Sequence, residues 1–424
     1  MADDNTLTML DTIAPNDWVS SDSIIKVLGV GGGGCNAVNY MFNKGIKGCS
    51  FVVCNTDSQA LRCSNVPVQI QMGRGLGAGT NPINGRNAAL ESQDQIDKIV
   101  LDSNTQMLFI TAGRGGGTGT GAAPVIAKMA KDKGILTVAV VTLPFLNEGN
   151  EALSRAIDGI HELEKNVDSL LIINNEKLHE FFGNQLIQDA FPQADEVLST
   201  AVRSIVEIIK KPGHINVDFK DVETMMRNSG MALMGCGVGS GQNRIEDAVK
   251  SAFESPLLND FDLKSAKKVL VNITCGHNDQ GLTMNDLNNI NIKISEYTGR
   301  ANNFKRGLIW DDNPECGDTI HITIIATGFQ ADISQLTGND FGKLIIINKD
   351  TVFDDDYRTR IGEVPQPDEA VINKIGYNTI ENVPHFHYDS KPALVVTSRT
   401  DMSQIENVAA IRRCTRKVVE DKGY

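Results

Sequence analysis

Apolar residues in the first half of the chain occur in short continuous runs, and the segments between them have helical periodicity. Five runs rich in β-branched residues predict buried strands, at 24–30, 51–55, 107–111, 136–143 and 170–174. A helix is predicted at 34–43, directly after the first strand. Continuous apolar strands joined by helical crossovers indicate a parallel sheet that is covered on both faces, hence an α/β fold.

A long amphipathic helix is predicted at 194–211. Its apolar stripe contains Leu198, Val202, Ile205 and Ile209, and Pro212 with Gly213 ends it. After this helix the strands alternate apolar and polar positions, as in a half-exposed sheet, at 268–274, 303–310 and 319–327. This change predicts a second, smaller α+β domain.

Composition narrows the range of functions. The chain has 424 residues, which predicts two domains and possible tails, and its net charge of −13 argues against nucleic acid as the main partner. The eight cysteines form no CxxC pair and no metal spacing with histidine, so we predict reduced thiols and no metal site. We expect no signal peptide, no transmembrane segment and a cytoplasmic location.

Glycines follow the first predicted strand. Residues Gly29 to Gly34 satisfy G-x-G-x-x-G and open a helix, an arrangement in which backbone N–H groups approach a phosphate. Asp57 lies at the end of the second strand, where a dinucleotide-binding enzyme carries its ribose-binding acid. A dinucleotide-binding oxidoreductase is therefore an alternative at this point.

Two further glycine loops argue against that alternative. Residues 113–121 read Gly-Arg-Gly-Gly-Gly-Thr-Gly-Thr-Gly between a strand and a helix, and Gly73 to Gly79 carry a glycine at every second position. A dinucleotide fold needs one such loop, whereas three favour a nucleoside triphosphate held by backbone amides. The chain has no G-x-x-x-x-G-K-[ST], so it is not a P-loop protein.

The segment AGRGGGTGTGAAPVIA, with GVGGGGCNAVN, CNTDSQAL, GRGLGAGTNP and NVDFKDVETMM, resembles the tubulin/FtsZ family over residues 24–330 and is closest to its FtsZ branch. The resemblance implies a parallel-sheet, Rossmann-like GTPase domain joined by a central helix to a smaller α+β domain. It also implies GTP and GDP as ligands, with Mg²⁺ expected for triphosphate chemistry.

Site residues follow from the resemblance position by position. The phosphate-binding residues implied in the first loop are Gly32, Gly33, Gly34, Cys35 and Asn36, and those in the signature loop are Gly117, Thr118 and Gly119. The acid that binds the ribose corresponds to Glu148. The residues that bind the guanine base correspond to Asn175, Phe191 and Asp195. By their residue types alone, Glu148 also suits a helix N-terminus, and Phe191 suits a core better than a position stacked on a base.

The catalytic residues implied by the family are Asn216, Asp218 and Asp221. Two carboxylates three residues apart suit water polarisation, and they suit capping of the following helix as well. A helix from about Asp195 to Lys211 would span roughly 25 Å. We therefore predict that these carboxylates complete the site of the next molecule in a head-to-tail filament.

Two positions depart from the family pattern. Ala152 stands where an arginine is usual, and Arg114 stands where an apolar residue is usual. We hypothesise that Arg114 or Arg155 supplies some of the missing positive charge. A nucleotide-binding polymer with little catalysis remains an alternative, as does a relative that segregates plasmids or determines shape.

The predicted organisation has five segments: a flexible arm at 1–22, a GTP-binding domain at 23–193, the central helix and start of the catalytic loop at 194–218, an α+β domain at 219–330, and a largely disordered tail at 331–424. By the resemblance, the tail binds membrane tethers and division regulators, and the chain polymerises at the mid-cell division site. Residues 380–386 resemble the family's terminal peptide faintly, and a basic cluster spans 412–417.

Overall fold

The structure is a computed structural model. It describes residues 23–176, 186–211, 213–255, 263–276, 281–299, 303–311, 317–328, 351–353 and 359–361. The chain divides into two units, Met1–Ala331 and Asp332–Tyr424. In the second unit the described residues form one antiparallel pair, Thr351–Phe353 with Thr359–Ile361. The predicted arm at 1–22 and most of the predicted tail lie outside the described residues.

One eleven-stranded sheet runs through the first unit. Its strands in chain order are β1 Ile25–Val30, β2 Ser50–Asn55, β3 Gln69–Gln71, β4 Met107–Gly113, β5 Leu136–Leu143, β6 Ser169–Asn174, β7 Gly213–Ile215, β8 Gly230–Gly239, β9 Lys268–Gly276, β10 Asn303–Asp311 and β11 Ile320–Thr327. Their spatial order is β3-β2-β1-β4-β5-β6-β8-β11-β9-β10-β7.

Ten described α-helices accompany this sheet. They are α1 Gly31–Asn43, α2 Ser58–Arg62, α3 Pro82–Glu91, α4 Gln93–Val100, α5 Gly117–Asp132, α6 Asn150–Glu164, α7 Ile187–Lys210, α8 Phe219–Met226, α9 Arg244–Phe253 and α10 Met284–Thr298. Short 3₁₀ turns lie at Leu146–Glu148 and Leu263–Ser265.

The first six strands confirm the α/β prediction. Every pairing among β1 to β6 is parallel, and β1, β4 and β5 are buried along almost their whole length. Strand β8 then continues the same sheet by pairing in parallel with β6. The α+β half is therefore joined to the Rossmann-like half by backbone hydrogen bonds as well as by a helix.

Strand β8 was absent from the sequence prediction because its four glycines resemble turn residues. Two of these glycines have a packing reason: a Cβ at Gly237 or Gly239 would overlap the backbone of α9 at Ala248 or Arg244. Helix α9 therefore lies directly on the strand, and only glycine permits this approach. Helix packing on this face of the sheet forms a separate core that includes Phe253.

The central helix, α7, begins earlier than predicted. It starts at Ile187, so Asp195 lies two turns inside the helix and its predicted place at the helix start is wrong. Pro192 lies in these first turns, and proline is disfavoured inside helices, which explains the later start in the prediction. Leu198, Val202 and Ile205 are buried as predicted.

Helix α7 is packed between the two halves of the unit. Tyr40 on α1 donates a hydrogen bond of 2.7 Å to Glu196, and the hydroxyls of Ser204 and Thr323 on β11 are 3.3 Å apart. The core around α7 includes residues from both halves, such as Val38 and Leu270. A displacement of α7 would therefore be transmitted to both halves, because close-packed interiors transmit displacement.

Candidate functional site

The predicted site segments meet at one edge of the sheet. The first glycine loop follows β1, the signature loop follows β4, Glu148 follows β5 and Asn175 follows β6. Strands β1 and β4 are paired in register, with Val30 opposite Ala112, although the chain leaves β1 for β2 on the other side. This reversal of strand order is a switch point, where open α/β sheets form their ligand crevice at the carboxyl ends of the strands.

The first loop presents free amide groups to solvent. Helix α1 begins at Gly31, which has φ +72°, and its N-terminus has no side-chain cap. Gly32, Gly33 and Asn36 are exposed. Neighbouring helices α2 and α3 are capped by the side chains of Asp57 and Asn81. The N-terminus of α1 therefore has the uncapped N–H groups and the dipole direction that suit an anion.

Two of the predicted phosphate contacts face inward. Gly34 is buried, and a Cβ on it would overlap the carbonyl of Thr111 on β4. The Cys35 thiol is buried and bonds the carbonyl of Cys54 at 3.4 Å, and burial raises its pKa to about 12. The Cys35 thiol is therefore a packing group.

The signature loop, like the first loop, leads into a helix whose N-terminus has no side-chain cap. Helix α5 begins at Gly117 after an uncapped Gly116, and Gly116 is exposed. The Thr120 hydroxyl accepts a hydrogen bond of 3.2 Å from the N–H of Gly115, which holds the loop against its own helix. Gly117, Thr118 and Gly119 are buried beneath neighbouring loops, so their backbone positions are fixed by packing.

All three glycine loops converge. A Cβ at Gly31 would lie 2.8 Å from the Gly119 nitrogen, and one at Gly117 would lie 2.8 Å from the Asn81 nitrogen. The glycines at 73, 75, 77 and 79 all have positive φ, from 58° to 81°, which explains their alternation. The arrangement fits a polyphosphate, because side chains are absent where backbone amides must approach the oxygens.

The described groups expected around a nucleoside also fit such a ligand. Glu148 is exposed, and its Oε1 accepts a 2.8 Å bond from the N–H of Phe145. The Oδ1 of Asn175 is buried and accepts no hydrogen bond from any residue that the structure describes, which is costly unless a ligand supplies a donor. Asp195 is half-buried, and desolvation raises the pKa of its carboxyl to about 6. The side chain of Phe191 lies outside the described part of the structure.

Asp57 has a structural role. Its carboxylate caps α2, accepting hydrogen bonds from the N–H groups of Gln59 at 2.8 Å and Ala60 at 3.4 Å. A ribose-binding acid needs its oxygens free for two hydroxyl groups. This capping argues against the dinucleotide-binding alternative.

The structure places Arg114 inside the protein. Its side chain is 4 % exposed, and Nη1 donates to the carbonyls of Gly119 at 3.0 Å and Thr120 at 3.3 Å. The carbonyl of Thr120 would normally accept from residue 124, which is Pro124 and has no N–H. Burial lowers the pKa of Arg114 to about 9, so it remains a cation at neutral pH.

Arg114 therefore replaces a missing helical hydrogen bond and does not face the open side of the cradle, contrary to one version of our hypothesis. Arg155 lies closer to the loop surface, where its Nε donates to the carbonyl of Gly115 at 3.1 Å. Ala152 is buried in the first turn of α6 and its carbonyl approaches the same glycine.

A double-mutant cycle tests this role for Arg114. Because Pro124→Ala restores the N–H that Thr120 lacks, we expect Arg114→Met to destabilise the parent protein by about 1 kcal/mol more than it destabilises Pro124→Ala. Chemical denaturation gives the four free energies of unfolding. Arg86→Met, which removes an exposed cation, is the control and should cost under about 0.5 kcal/mol. Equal costs in both backgrounds would show that Arg114 does not serve the Thr120 carbonyl.

The predicted catalytic residues lie together at the other end of α7. Asp218 caps α8, with Oδ1 accepting from the N–H of Asp221 at 2.8 Å, and Asn216 accepts from the N–H of Gly213 at 2.7 Å. Asp221 forms an ion pair with Lys305 at 2.6 Å, and Asp221 is the main cause of the raised pKa of Lys305. Capping, the alternative reading of these carboxylates, is present, but Asp218 is exposed and keeps a second oxygen unbonded within the described residues.

Two connections in the site were missed from the sequence. Thr56, directly after β2, lies 2.6 Å from Thr118 through their hydroxyls. Lys305 lies on β10, far along the chain from its partner Asp221. Neither has a local motif, because both contacts join residues that are distant in sequence.

Membrane spans and metal clusters are both absent from the part of the chain that the structure describes. No described helix is both long and apolar enough to cross a bilayer. No group of three or more His, Cys, Asp or Glu side chains in the described ranges is arranged to hold a metal ion. The absence of such a group is compatible with Mg²⁺, which proteins bind through few side chains together with substrate phosphates.

Comparison with protein families gives two matches. The GTPase domain of the tubulin/FtsZ family matches residues 24–183, and the C-terminal domain of the FtsZ family matches residues 230–330. The boundary between the two matches falls across α7, the helix that packs against both halves.

Individual proteins give the same result. The cell division protein FtsZ of Pseudomonas putida is 46% identical over 324 residues, which cover 75% of this chain and 80% of the relative. A solved structure titled as an empty FtsZ dimer from M. jannaschii is 39% identical, with a TM-score of 0.67, covering 74% of this chain and 90% of that one. A CetZ2 from Haloferax volcanii, described as a GTPγS-bound protofilament, shares the fold with a TM-score of 0.61 at 19% identity, covering 72% and 93%.

Proposed function

Since the chain belongs to the tubulin/FtsZ family of GTPases, among its FtsZ cell-division members, we propose that it forms head-to-tail filaments in which each subunit completes the GTPase site of its neighbour. The observation that carries the proposal is the separation of two half-sites along α7. A glycine cradle lies at the carboxyl ends of the parallel strands, and an exposed carboxylate, Asp218, follows the far end of the helix.

The cradle is the nucleotide half. The uncapped N-termini of α1 and α5 direct N–H groups toward the same space, which suits the phosphates of GTP and GDP. Asn175 and Asp195 would bind the guanine base, and Glu148 the ribose. The Oδ1 of Asn175 supports this assignment, since none of the described residues donates to it and guanine offers N–H donors. Mg²⁺, when bound with the triphosphate, would neutralise developing charge on the phosphate oxygens.

Distance supports catalysis between subunits. From Asp195 to Lys210 the helix rises about 22 Å, at about 1.5 Å per residue. Asp218 and Asp221 lie beyond that end, so they are too far from the nucleotide of their own subunit to polarise its attacking water. An arrangement that uses one face of each subunit against the opposite face of the next is heterologous and does not close, which produces a filament.

Helix α7 would couple nucleotide binding to assembly. It contacts α1 through Glu196 and Tyr40, and it contacts β11 through Ser204 and Thr323. Movement of α1 with the bound phosphates would therefore reach the half that carries α8. In this account hydrolysis to GDP weakens the subunit contact.

The cellular role follows from the family. We infer that the filaments form the cytokinetic ring at the mid-cell division site, in the cytoplasm. Membrane tethers and regulators of division would bind the tail at 331–424, where the segments 380–386 and 412–417 lie outside the described residues.

Sedimentation with phosphate release tests the proposal. Protein at rising concentration is incubated with Mg²⁺ and GTP, GDP or ATP. We expect pelletable polymer with GTP, and a turnover per molecule that rises steeply above a threshold concentration. A turnover that is flat with concentration, without polymer in any nucleotide, would refute the shared site. Polymer with GTP but negligible turnover would favour the alternative of a structural polymer, which the substitution at Ala152 keeps open.

A further inference from the structure

Two threonines link the glycine loops beneath the cradle. Thr56 follows β2 and Thr118 belongs to the first turn of α5, and their hydroxyl oxygens are 2.6 Å apart. Thr56 is 4 % exposed and Thr118 is 8 % exposed. Within the described residues, the Thr118 hydroxyl bonds no other group. A short buried hydroxyl pair of this kind is a directional contact, because one oxygen must donate and the other must accept.

The direction of that hydrogen bond matters for an anion. A hydroxyl has one proton to donate, so Thr118 can donate to a phosphate oxygen only when Thr56 donates to Thr118. Phosphate oxygens only accept, and hydrogen bonds to charged groups are about twice as strong as neutral ones. A phosphate in the cradle would therefore select the arrangement in which the proton of Thr56 points to Thr118.

The backbone of Thr56 is held in place by the third glycine loop. Its carbonyl accepts from the N–H of Gly77 at 2.8 Å, the adjacent Asn55 carbonyl accepts from Met72 at 2.8 Å, and Ser58 donates to the carbonyl of Gly75 at 3.1 Å. The loop that follows β2 thus fixes the position from which Thr56 reaches Thr118. A side chain on so constrained a backbone can orient its partner at little entropic cost.

We propose that Thr56 is a positioning residue for nucleotide phosphate: its hydroxyl donates to Thr118 and so directs the Thr118 proton toward the bound phosphates. The proposal rests on the proposed function, since it requires that the cradle binds a nucleotide. It assigns to Thr56 a role that acts through another residue, without contact to the nucleotide itself.

Isosteric variants distinguish an effect of the Thr56 hydroxyl from an effect of the Thr56 side-chain volume. Thr56→Val removes the donor and keeps the shape, whereas Thr56→Ser keeps the donor. Affinities for GTP and for guanosine are measured by calorimetry with full-length protein below the assembly threshold. Because the Thr118 hydroxyl loses the hydrogen bond that orients it, we expect Thr56→Val to weaken GTP binding by roughly 10-fold with guanosine binding unchanged, and Thr56→Ser to restore most of the loss.

A cycle with Thr118→Val excludes a purely structural effect. Because Thr118→Val already lacks the phosphate donor, adding Thr56→Val should cost no further GTP affinity, while two independent packing defects would add. If Thr56→Val does not fold, Thr56→Ala removes the same hydroxyl and is measured in its place, alone and with Thr118→Val.

Each outcome has a separate meaning. Equal GTP affinity for the parent and Thr56→Val refutes the inference but leaves the proposed function intact. Equal losses for GTP and guanosine also refute it, because they would show a general disturbance of the site. A parent protein that binds guanosine and GTP equally, or neither, contradicts the proposed function itself.

Discussion

Asp218→Asn is expected to reduce GTP turnover by about 100-fold or more while leaving filament formation and folding intact. Asparagine caps helices as well as aspartate does, so the hydrogen bond to the N–H of Asp221 should survive. Only the negative charge is lost, together with the ability to polarise an attacking water. Phosphate release and sedimentation on the same samples measure both properties.

A matched variant separates charge from capping. Asp57→Asn makes the same chemical change at another helix cap, at α2, and should leave turnover nearly unchanged. If Asp218→Asn retained full turnover, capping would be the whole role of Asp218. If it lost polymer together with turnover, the carboxylate would belong to the subunit contact rather than to catalysis.

Asp195→Asn is expected to change the base preference from guanine to xanthine. A carboxylate accepts two hydrogen bonds, which suits the N1–H and N2–H donors of guanine. An amide offers one acceptor and one donor, which suits the N1–H and the O2 acceptor of xanthine. We expect GTP affinity to fall by about 100-fold, since a buried charged hydrogen-bonding pair is lost, and XTP affinity to rise. Competition binding with GTP, XTP and ATP measures the change, and an unaltered preference would place Asp195 away from the base.

Because the pKa of the Asp195 carboxyl is raised, the affinity for GTP should depend on pH. With a carboxyl pKa of about 6, the acceptor is lost as pH falls through 6, so GTP affinity should decrease about 10-fold per unit below that value. Stability moves the other way: a carboxyl with a raised pKa costs the fold stability above pH 6, and this cost is relieved as pH falls toward 4. Asp195 itself therefore does not destabilise the fold at low pH, and Asp195→Asn should abolish the pH dependence of affinity.

Local patterns sufficed for much of the fold. The strand at 136–143 is predicted with its observed ends, and the other predicted strands differ from the structure by at most two residues at either end. The glycine loops are also local signals, and their convergence follows from the parallel sheet. What sequence periodicity could not supply is contact between distant segments. Strand β8 shows this, since Gly237 and Gly239 are explained only by α9 lying across them.

The site residues likewise fall into two groups: those whose role their residue type suggests, and those whose role depends on tertiary contacts. Asn175 and Asp195 suit a guanine base by their residue types alone. The inward orientation of Cys35, the capping by Asp57 and the role of Arg114 depend on which groups are buried together. Arg114 is the clearest case, because its function depends on Pro124, ten residues away, through the carbonyl of a third residue. Such relations are set by packing rather than by motif.

The most direct test of a site shared between subunits is a mixture of two variants, each unable to hydrolyse GTP alone. Asp218→Asn binds GTP but lacks the catalytic carboxylate, and Asp195→Asn keeps the carboxylate but binds XTP. The two are mixed in equal amounts with XTP and γ-labelled GTP, and release of label is measured in the pelleted polymer. Random assembly predicts recovery of about a quarter of the parent rate, since half of the subunits bind GTP and half of those face an intact Asp218. Co-assembly of both variants without release of label would contradict catalysis between subunits.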